Sequence, residues 1–415
     1  MDQTTIDLFS QALNITSPWY VDHIDFSKEE HQMDIYVKFK EDGVFICPTC
    51  GSETGSIHDV HERTWRHLNF FQYKCYIHCQ LPRIFCKVCN KVQVVEAPWA
   101  RKGSGFTLMM EGLILLLTDS MTYSEAGNLI DEEDKRVFRV VKYYVKKAHN
   151  KLDCSDVTSI GVDETSKKKG HNYFTVVANM DTGAVLYVTD GKDSDTIENF
   201  RSFLVAHGGD SSKIENVCCD MSPSFIKGID TCFPGADIVF DKFHLMMMIN
   251  NAVNEVRIAE KKENDDLKGS KYIFLKNPEN LTEKEKKKFE SISNQNLKTL
   301  RAYHIRLEFQ KNFWKSATRE DAEKYLKKWY FWITHSKLKP MKELAKTIKR
   351  HWNGILNYFY SRITNGILEG INSQIQAIKR AARGFKNLDN FKTAIYHRLG
   401  RLELEISVDI FETSR

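Results

Sequence analysis

Two cysteine pairs, Cys47-Pro-Thr-Cys50 and Cys86-Lys-Val-Cys89, with 35 residues between them, constrain this chain more than any other feature. Each pair can present two sulfurs from one tight turn, and four thiolates fill the tetrahedral shell of one Zn²⁺. A shell with four protein ligands has no open position, so the expected zinc is single and structural. The intervening stretch, "HERTWRHLNFFQYKCYIHCQLPRIF", has β character and reads as a ribbon that folds back to bring the pairs together. Cys75 and Cys79 within it read as small buried residues, while His58, His61 and His67 are competing ligands. The alternative is a pair of reduced thiols or a redox dithiol, which ordinarily uses a single CxxC near a βαβ unit. The opening "MDQTTIDLFSQALNI" lacks a basic-then-apolar leader, so the ten cysteines point to thiols and a metal in the cytoplasm rather than to disulfides.

A chain of 415 residues exceeds one ordinary core, so several domains are expected. The net charge is only +5, from 60 Lys and Arg against 55 Asp and Glu. A nucleic-acid surface therefore has to come from local clustering. No apolar run approaches the roughly 20 residues of a membrane span.

From about residue 104 the pattern turns helical. "GFTLMMEGLILLLTDS" reads as a buried helix, and "TYSEAGNLI" as a short one opened by a Thr122–Glu125 capping box. "DEEDKRVFRVVKYYVKKAHNKL" reads as a longer helix with Val137, Val140, Val141 and Tyr144 on one side and Lys135, Arg136 and Arg139 among its cations. Two short helices, a tight turn and a third are the pattern of a helix-turn-helix, with a plain helical connector as the alternative. After residue 157 strands alternate with helices, which indicates an α/β layer. "YFTVVANMDTGAVLYVTDG" is a hairpin turned at Asp181-Thr182-Gly183. Residues 255–350 are Lys/Glu-rich and helical, and read as an insertion.

Asp163 and Asp220 follow apolar residues at the ends of predicted strands, where open α/β sheets place their sites. Each alone is commonly a turn former. A third acid stands in "TNGILEGINSQIQAIKRAARGF", residues 364–385. At 3.6 residues per turn Ile371, Ile375, Ile378 and Ala382 form an apolar stripe, and Glu369, Asn372, Gln376, Arg380 and Arg383 fall opposite. Asn365 is the expected cap and Gly384 the expected stop. The bland reading is a solvated face; the sharper one has Glu369 on a metal and the cations on phosphate. Converging carboxylates repel and need cations. Mg²⁺ takes few carboxylates and keeps waters, and two such ions about 4 Å apart suit phosphodiester chemistry.

The pieces "CPTCG" with "CKVC", "RTWRHLNFF", "IGVDETS", "CCDMSPSF", "FDKFHLMMMIN" and "TNGILEGINSQIQAIKRAARGF" resemble bacterial insertion-sequence transposases of the ISL-three family, over roughly residues 40–400. The resemblance implies a multidomain chain: a β zinc ribbon, an α helix-turn-helix, and an RNase H-like α/β domain with a mixed sheet interrupted by an all-helical insertion. The boundaries expected are a 1–40 N-terminal segment, 41–100 ribbon, 101–152 helix-turn-helix, 153–250 and 353–415 for the two parts of the catalytic domain, and 251–352 for the insertion. It implies that Asp163, Asp220 and Glu369 are the catalytic acids, holding two Mg²⁺ or Mn²⁺, and that Asp241 and His244 support the site or the DNA end. The family motif carries an aromatic residue or Val just ahead of its Glu, where this chain has Ile367-Leu368. The implied activity is binding of an element's terminal inverted repeats, DNA cleavage and strand transfer into target DNA. Lys135, Arg136, Arg139, Lys379, Arg380 and Arg383 are the expected DNA contacts, and a homodimer holding two ends is the expected assembly, cytoplasmic and associated with the nucleoid when bound. The rivals are an inert transposase-derived DNA-binding protein and an RNase H-like structure-selective nuclease.

Overall fold

The computed structural model describes residues 3–166, 173–191, 193–362, 366–385 and 387–406. The chain divides into two compact units, the first running to Ala148 and the second from His149 to Arg401.

The first unit opens with helix α1 (Gln3–Ala12), followed by β1 (Trp19–Ser27), β2 (Gln32–Phe39), the short β3 (Phe45–Ile46) and β4 (Glu53–Thr54), β5 (Ile57–Phe70), β6 (Tyr73–Cys86) and β7 (Lys91–Val94). The expected ribbon is the β5–β6 hairpin, two 14-residue antiparallel strands. β2 pairs with β6 in parallel and β1 extends the sheet, giving the order β1-β2-β6-β5 with β7 on the end of β6. The 1–40 segment is therefore joined to the ribbon by one sheet. Alternate residues of β6 turn inward, as the two-residue period of a strand requires. Cys75, Ile77 and Cys79 thus reach a core shared with Trp19, Ile35, Trp65 and Trp99. Trp99 meets Trp19 and Trp65 edge-on at 5.4 and 5.7 Å. Burial pushes both the Cys75 and Cys79 thiols up to about 12, the behaviour of inert core residues.

Three helices follow: α2 (Leu108–Ser120), α3 (Tyr123–Ile130) and α4 (Asp134–His149). The Thr122–Glu125 capping box is formed in both directions. Val137, Val140, Val141 and Tyr144 are buried as the period requires. The third helix begins later than its sequence suggests. Asp131 takes a left-handed conformation that ends α3, so it belongs to the turn and not to the first turn of α4.

The second unit is built on β8 (Ser159–Ser166), β9 (Tyr173–Asn179), β10 (Val185–Asp190), β11 (Asn216–Cys219) and β12 (Asp237–Phe240), in the order β10-β9-β8-β11-β12. β8, β9 and β10 are antiparallel, while β8, β11 and β12 are parallel. This is the mixed sheet expected of the α/β domain. The parallel strands need helical crossovers, supplied by α5 (Ser194–Ala206) and α6 (Pro223–Cys232). Then come α7 (Lys242–Glu260), the insertion helices α8 (Glu283–Ser293), α9 (Lys298–Asn312), α10 (Arg319–His335) and α11 (Lys339–Arg350), and finally α12 (Trp352–Ser361), α13 (Gly366–Ala381) and α14 (Leu388–Leu399). The insertion is not an appendage: Phe274, Ile292, Tyr303, Phe309, Trp329 and Ile348 belong to the same apolar core as Val162, Val217 and Val239 of the sheet. The last helix closes on the far side of the sheet, where the Val188 amide donates to the Tyr396 hydroxyl at 2.8 Å.

Candidate active site and metal centre

The four ribbon cysteines come together. Their ligand atoms all lie within 4.8 Å of one another, and among the described residues no other group of three or more His, Cys, Asp or Glu does so. Cys47 and Cys89 sulfurs are 4.0 Å apart, and those of Cys50 and Cys86 are 3.6 Å apart. Zn–S bonds of about 2.3 Å in a tetrahedron place sulfurs roughly 3.8 Å apart, so the donor set fits zinc. Each pair sits on a tight turn: the Gly51 amide donates to the Cys47 carbonyl at 2.9 Å, and the Cys89 amide approaches the Cys86 sulfur at 3.4 Å. Crowding splits the thiols of this site: the Ser52 hydroxyl, 3.2 Å from the Cys86 sulfur, is the chief cause that brings Cys86 down to about 6, while Cys50 is the chief cause that pushes Cys89 up to about 12. His67 is not a competitor. It pairs with the Thr107 hydroxyl at 2.9 Å and burial brings it down to about 4.

Asp163 lies within β8 rather than at its end. Parallel pairing with β11 is recorded as far as Gly161↔Cys218, but antiparallel pairing with β9 continues through Asp163↔Val176 to Ser166↔Tyr173. Asp163 thus sits just beyond the parallel ladder. Its Oδ1 accepts from the Glu164 amide and its Oδ2 from the Asn372 side-chain amide, both at 2.7 Å. Asn372 in turn receives the Thr165 hydroxyl. Burial, and then Asp220 nearby, push the Asp163 carboxyl upward, opposed by its two hydrogen bonds and by His244. Asp220 follows β11 directly and accepts from the Ser222 amide at 2.9 Å, which shapes the turn into α6.

Asp241 caps α7 by accepting from the Phe243 amide at 2.9 Å. Just before it α12 lies close on β12, since a Cβ on Gly354 would stand 2.3 Å from the Phe240 ring. His244 Nδ1 lies 2.8 Å from the buried Asp241 Oδ2, near enough for an ion pair but without hydrogen-bond alignment. Asp241 first, then Asp220 and Asp163, raise the His244 pKa. The pair is therefore within electrostatic reach of both aspartates.

Glu369 stands exposed on α13, one turn before Asn372. α13 lies directly on β8, because a Cβ on Gly161 would meet Leu368 at 2.8 Å and Met180 at 2.4 Å. The buried Leu368 is the contact that seats the helix. Asp163, Asp220 and Glu369 do not gather into a single group of three that could hold one ion. Their all-oxygen character fits a hard divalent cation, and a pair of ions about 4 Å apart spreads its ligands more widely than one ion does.

The expected stripe of α13 holds at Ile371 and Ile375, but Ala382 is exposed and beyond the helix end. Arg383 and Gly384 are left-handed, and the Gly384 amide closes on the Lys379 carbonyl. Arg380 and Arg383 are exposed. Asn365, the expected cap, lies outside the described residues. On α4, Lys135 and Arg139 are exposed and Arg136 is half-buried. Its guanidinium pairs with Glu132 and lies 4.4 Å over the Phe106 ring, which makes it part of the packing of this unit. Sequence reasoning also missed Glu111, fully buried in α2, which accepts from Arg101 at 2.9 Å, Ser104 at 2.6 Å and Tyr144 at 2.8 Å. An acid inside "LMMEGLILLL" was the available signal, since a buried carboxylate requires partners.

A transposase family model, the DDE domain of family ISL3, matches residues 160–395, more than half of the chain. A zinc-finger model of transposases IS204/IS1001/IS1096/IS1165 matches residues 43–89, and the helix-turn-helix domain of transposase family ISL3 matches residues 95–145. The chain belongs to the ISL3 family of transposases. Among its relatives is the transposase for insertion sequence element IS1001 of Bordetella parapertussis, 25% identical over 84% of this chain and 87% of the relative. Another is the transposase for insertion sequence element IS1557 of Mycobacterium tuberculosis, 24% identical over 92% of this chain and 93% of the relative.

Proposed function

We propose that this transposase binds the terminal inverted repeats of its own insertion sequence, cuts the DNA at the element end, and joins the freed 3′-OH to target DNA. The observation that carries this reading is the 2.7 Å bond from Asn372 to Asp163, which ties α13 to β8 one turn beyond Glu369. It links the last acid to the first across more than two hundred residues of chain. Asp163, Asp220 and Glu369 hold two Mg²⁺ or Mn²⁺ ions. When bound, these ions supply the positive charge that acidifies the attacking oxygen and offsets the charge gathering on the phosphodiester.

The protein's own groups do the positioning. Asn372 and the Glu164 amide fix both oxygens of Asp163, so its remaining lone pairs have a set direction. His244, whose pKa Asp241 raises, stands within electrostatic reach of Asp163 and Asp220, and its protonated form offsets the repulsion between them. Lys379, Arg380 and Arg383 hold the phosphate backbone near the acids, and Lys135 and Arg139 contact the element end. The ribbon carries a single structural zinc and shares the reading of the end with α3 and α4. Two ends call for two subunits, so the active assembly is a homodimer on DNA in the bacterial cytoplasm, associated with the nucleoid. No described helix is long and apolar enough to cross a membrane.

The test is cleavage of a labelled duplex carrying an element end, with and without Mg²⁺, by the native protein and by Glu369→Ala. Metal-dependent cutting by the native protein alone is expected. End binding without cutting by either would leave a DNA-binding factor, and equal cutting by both would remove Glu369 from the site.

A further inference from the structure

The insertion presents a surface that this chemistry does not use. From Arg319 to Arg350, across α10 and α11, there are ten Lys or Arg against four acids, a local excess of six where the entire chain carries a net +5. Three of the acids, Glu320, Asp321 and Glu323, stand at the start of α10, where Glu323 pairs with Lys327, and the fourth, Glu343, pairs with Lys346. The inner side of the two helices, including Leu326, Trp329, Ile333, Leu344 and Ile348, is buried in the core. The outer side of α10 exposes Lys324, Lys328, Phe331 and His335 at helical steps of four, three and four, with Trp332 one turn beyond Lys328. On α11, Lys342, Lys346, Lys349 and Arg350 are exposed.

Solvation accounts for lysines on a helix face but not for the rings between them. Phe331 is 64% exposed and Trp332 43%. His335 stacks on Phe331 with ring centroids 3.9 Å apart and planes 28° from parallel, and its Nδ1 donates to the Phe331 carbonyl at 2.8 Å. The two rings form a fixed shelf in the midst of the cations.

We infer that the outer face of the α10–α11 hairpin binds single-stranded DNA, with the lysines on phosphates and unpaired bases stacked on Phe331 and Trp332. A duplex offers its phosphates to lysines but keeps its base faces stacked on one another. A strand with unpaired bases offers both, and basic grooves with exposed aromatic rings are the usual platform for it. Charge selects this occupant over a second copy of the same face, since two such surfaces would repel. The inference rests on the DNA-cutting reading only for the source of the strand, the opened or cut element end.

The test uses the intact protein in Mg²⁺-free buffer, so that no cutting is involved. A fluorescein-labelled 20-nucleotide strand of mixed sequence and its duplex are each titrated by anisotropy. Stacking contributes about 1–3 kcal/mol per base, and a factor of ten corresponds to about 1.4 kcal/mol. Phe331→Ala/Trp332→Ala is therefore expected to bind the single strand at least about tenfold more weakly. Its duplex affinity is expected to stay within about twofold, and Phe331→Tyr/Trp332→Phe to bind as the native protein does. Lys324→Gln/Lys328→Gln should weaken both and flatten the salt dependence for the single strand by about 1.4 in log–log slope, at about 0.7 per phosphate contact. Four results overturn the inference: no single-strand binding by the native protein, unchanged single-strand binding without the rings, equal weakening on single strand and duplex, or a native dimer that becomes monomeric without the rings while single-strand affinity persists. The last reassigns the face to contact between copies. Because Glu369→Ala retains this surface, loss of cutting and loss of strand binding are separable failures.

Discussion

Gly161→Ala isolates the contact on which the candidate site depends. The added Cβ would stand 2.4 Å from the Met180 sulfur and 2.8 and 3.0 Å from the two methyl carbons of Leu368. Ordinary contacts between such atoms lie near 3.5–4.0 Å, so the shortfall is about 1 Å on both sides. Neither neighbour has free room, since Leu368 is 1% and Met180 5% exposed. α13 must therefore lift from β8 by about 1 Å. The overpacking itself costs about 1–3 kcal/mol of stability. The functional loss is larger in proportion, because the 2.7 Å Asn372–Asp163 bond would open to about 3.7 Å, beyond hydrogen-bonding range. A misplacement of 1 Å at reacting groups costs about a hundredfold in rate. The expected outcome is cutting of a labelled element end slowed about a hundredfold, with a lowered Tm and unchanged end binding by anisotropy. A Gly161→Ala protein with the lowered Tm but the native cutting rate would refute the claim that the Leu368 contact sets the position of Glu369.

Two further outcomes follow from the carboxylate and thiol sites. Asp163 has its pKa raised in the folded protein, so the native state holds that proton more tightly than the unfolded chain and stability declines as pH rises through the interval above the unfolded value of about 3.9. Asp163→Asn should accordingly raise Tm at pH 7 in Mg²⁺-free buffer and leave it unchanged at pH 3, and added Mg²⁺ should stabilise only the native protein; a lower Tm for Asp163→Asn at pH 7 would contradict the burial argument. The native protein should contain one zinc per chain by elemental analysis, and Cys86→Ala should lose it together with several kcal/mol of first-unit stability; full zinc retention by that variant would exclude the four-cysteine site.

What was legible in the sequence was local. A CxxC pair fixes two ligands within one turn, so Cys47, Cys50, Cys86 and Cys89 were recognisable before their meeting was seen. The capping box of Thr122 and Glu125 and the apolar period of α4 are likewise written within one or two helical turns. What was not legible depends on partners distant in the chain. Asp163 read as a strand end because its apolar neighbours stop there, but β9 continues the ladder beyond it, and no residue near Asp163 announces that pairing. Arg136 read as one cation among several, and only the packed helices show Glu132 and Phe106 claiming it. The parallel joining of β2 to β6 was hidden for the same reason. Asn372 was visible as a motif residue, but its bond to Asp163 is a property of the folded chain.

The shared core of sheet and insertion has a temporal consequence. Asp163 and Asp220 leave the ribosome early, but Glu369 lies 149 residues after Asp220, beyond the insertion helices that share the core of the sheet. At synthesis rates of about 5–20 residues per second, roughly 7–30 s pass between the second acid and the third. Throughout that interval the nascent chain has two of its three acids and no Asn372. On the function proposed above, a polypeptide that stops short of α13 lacks the third acid and would bind DNA without cutting it.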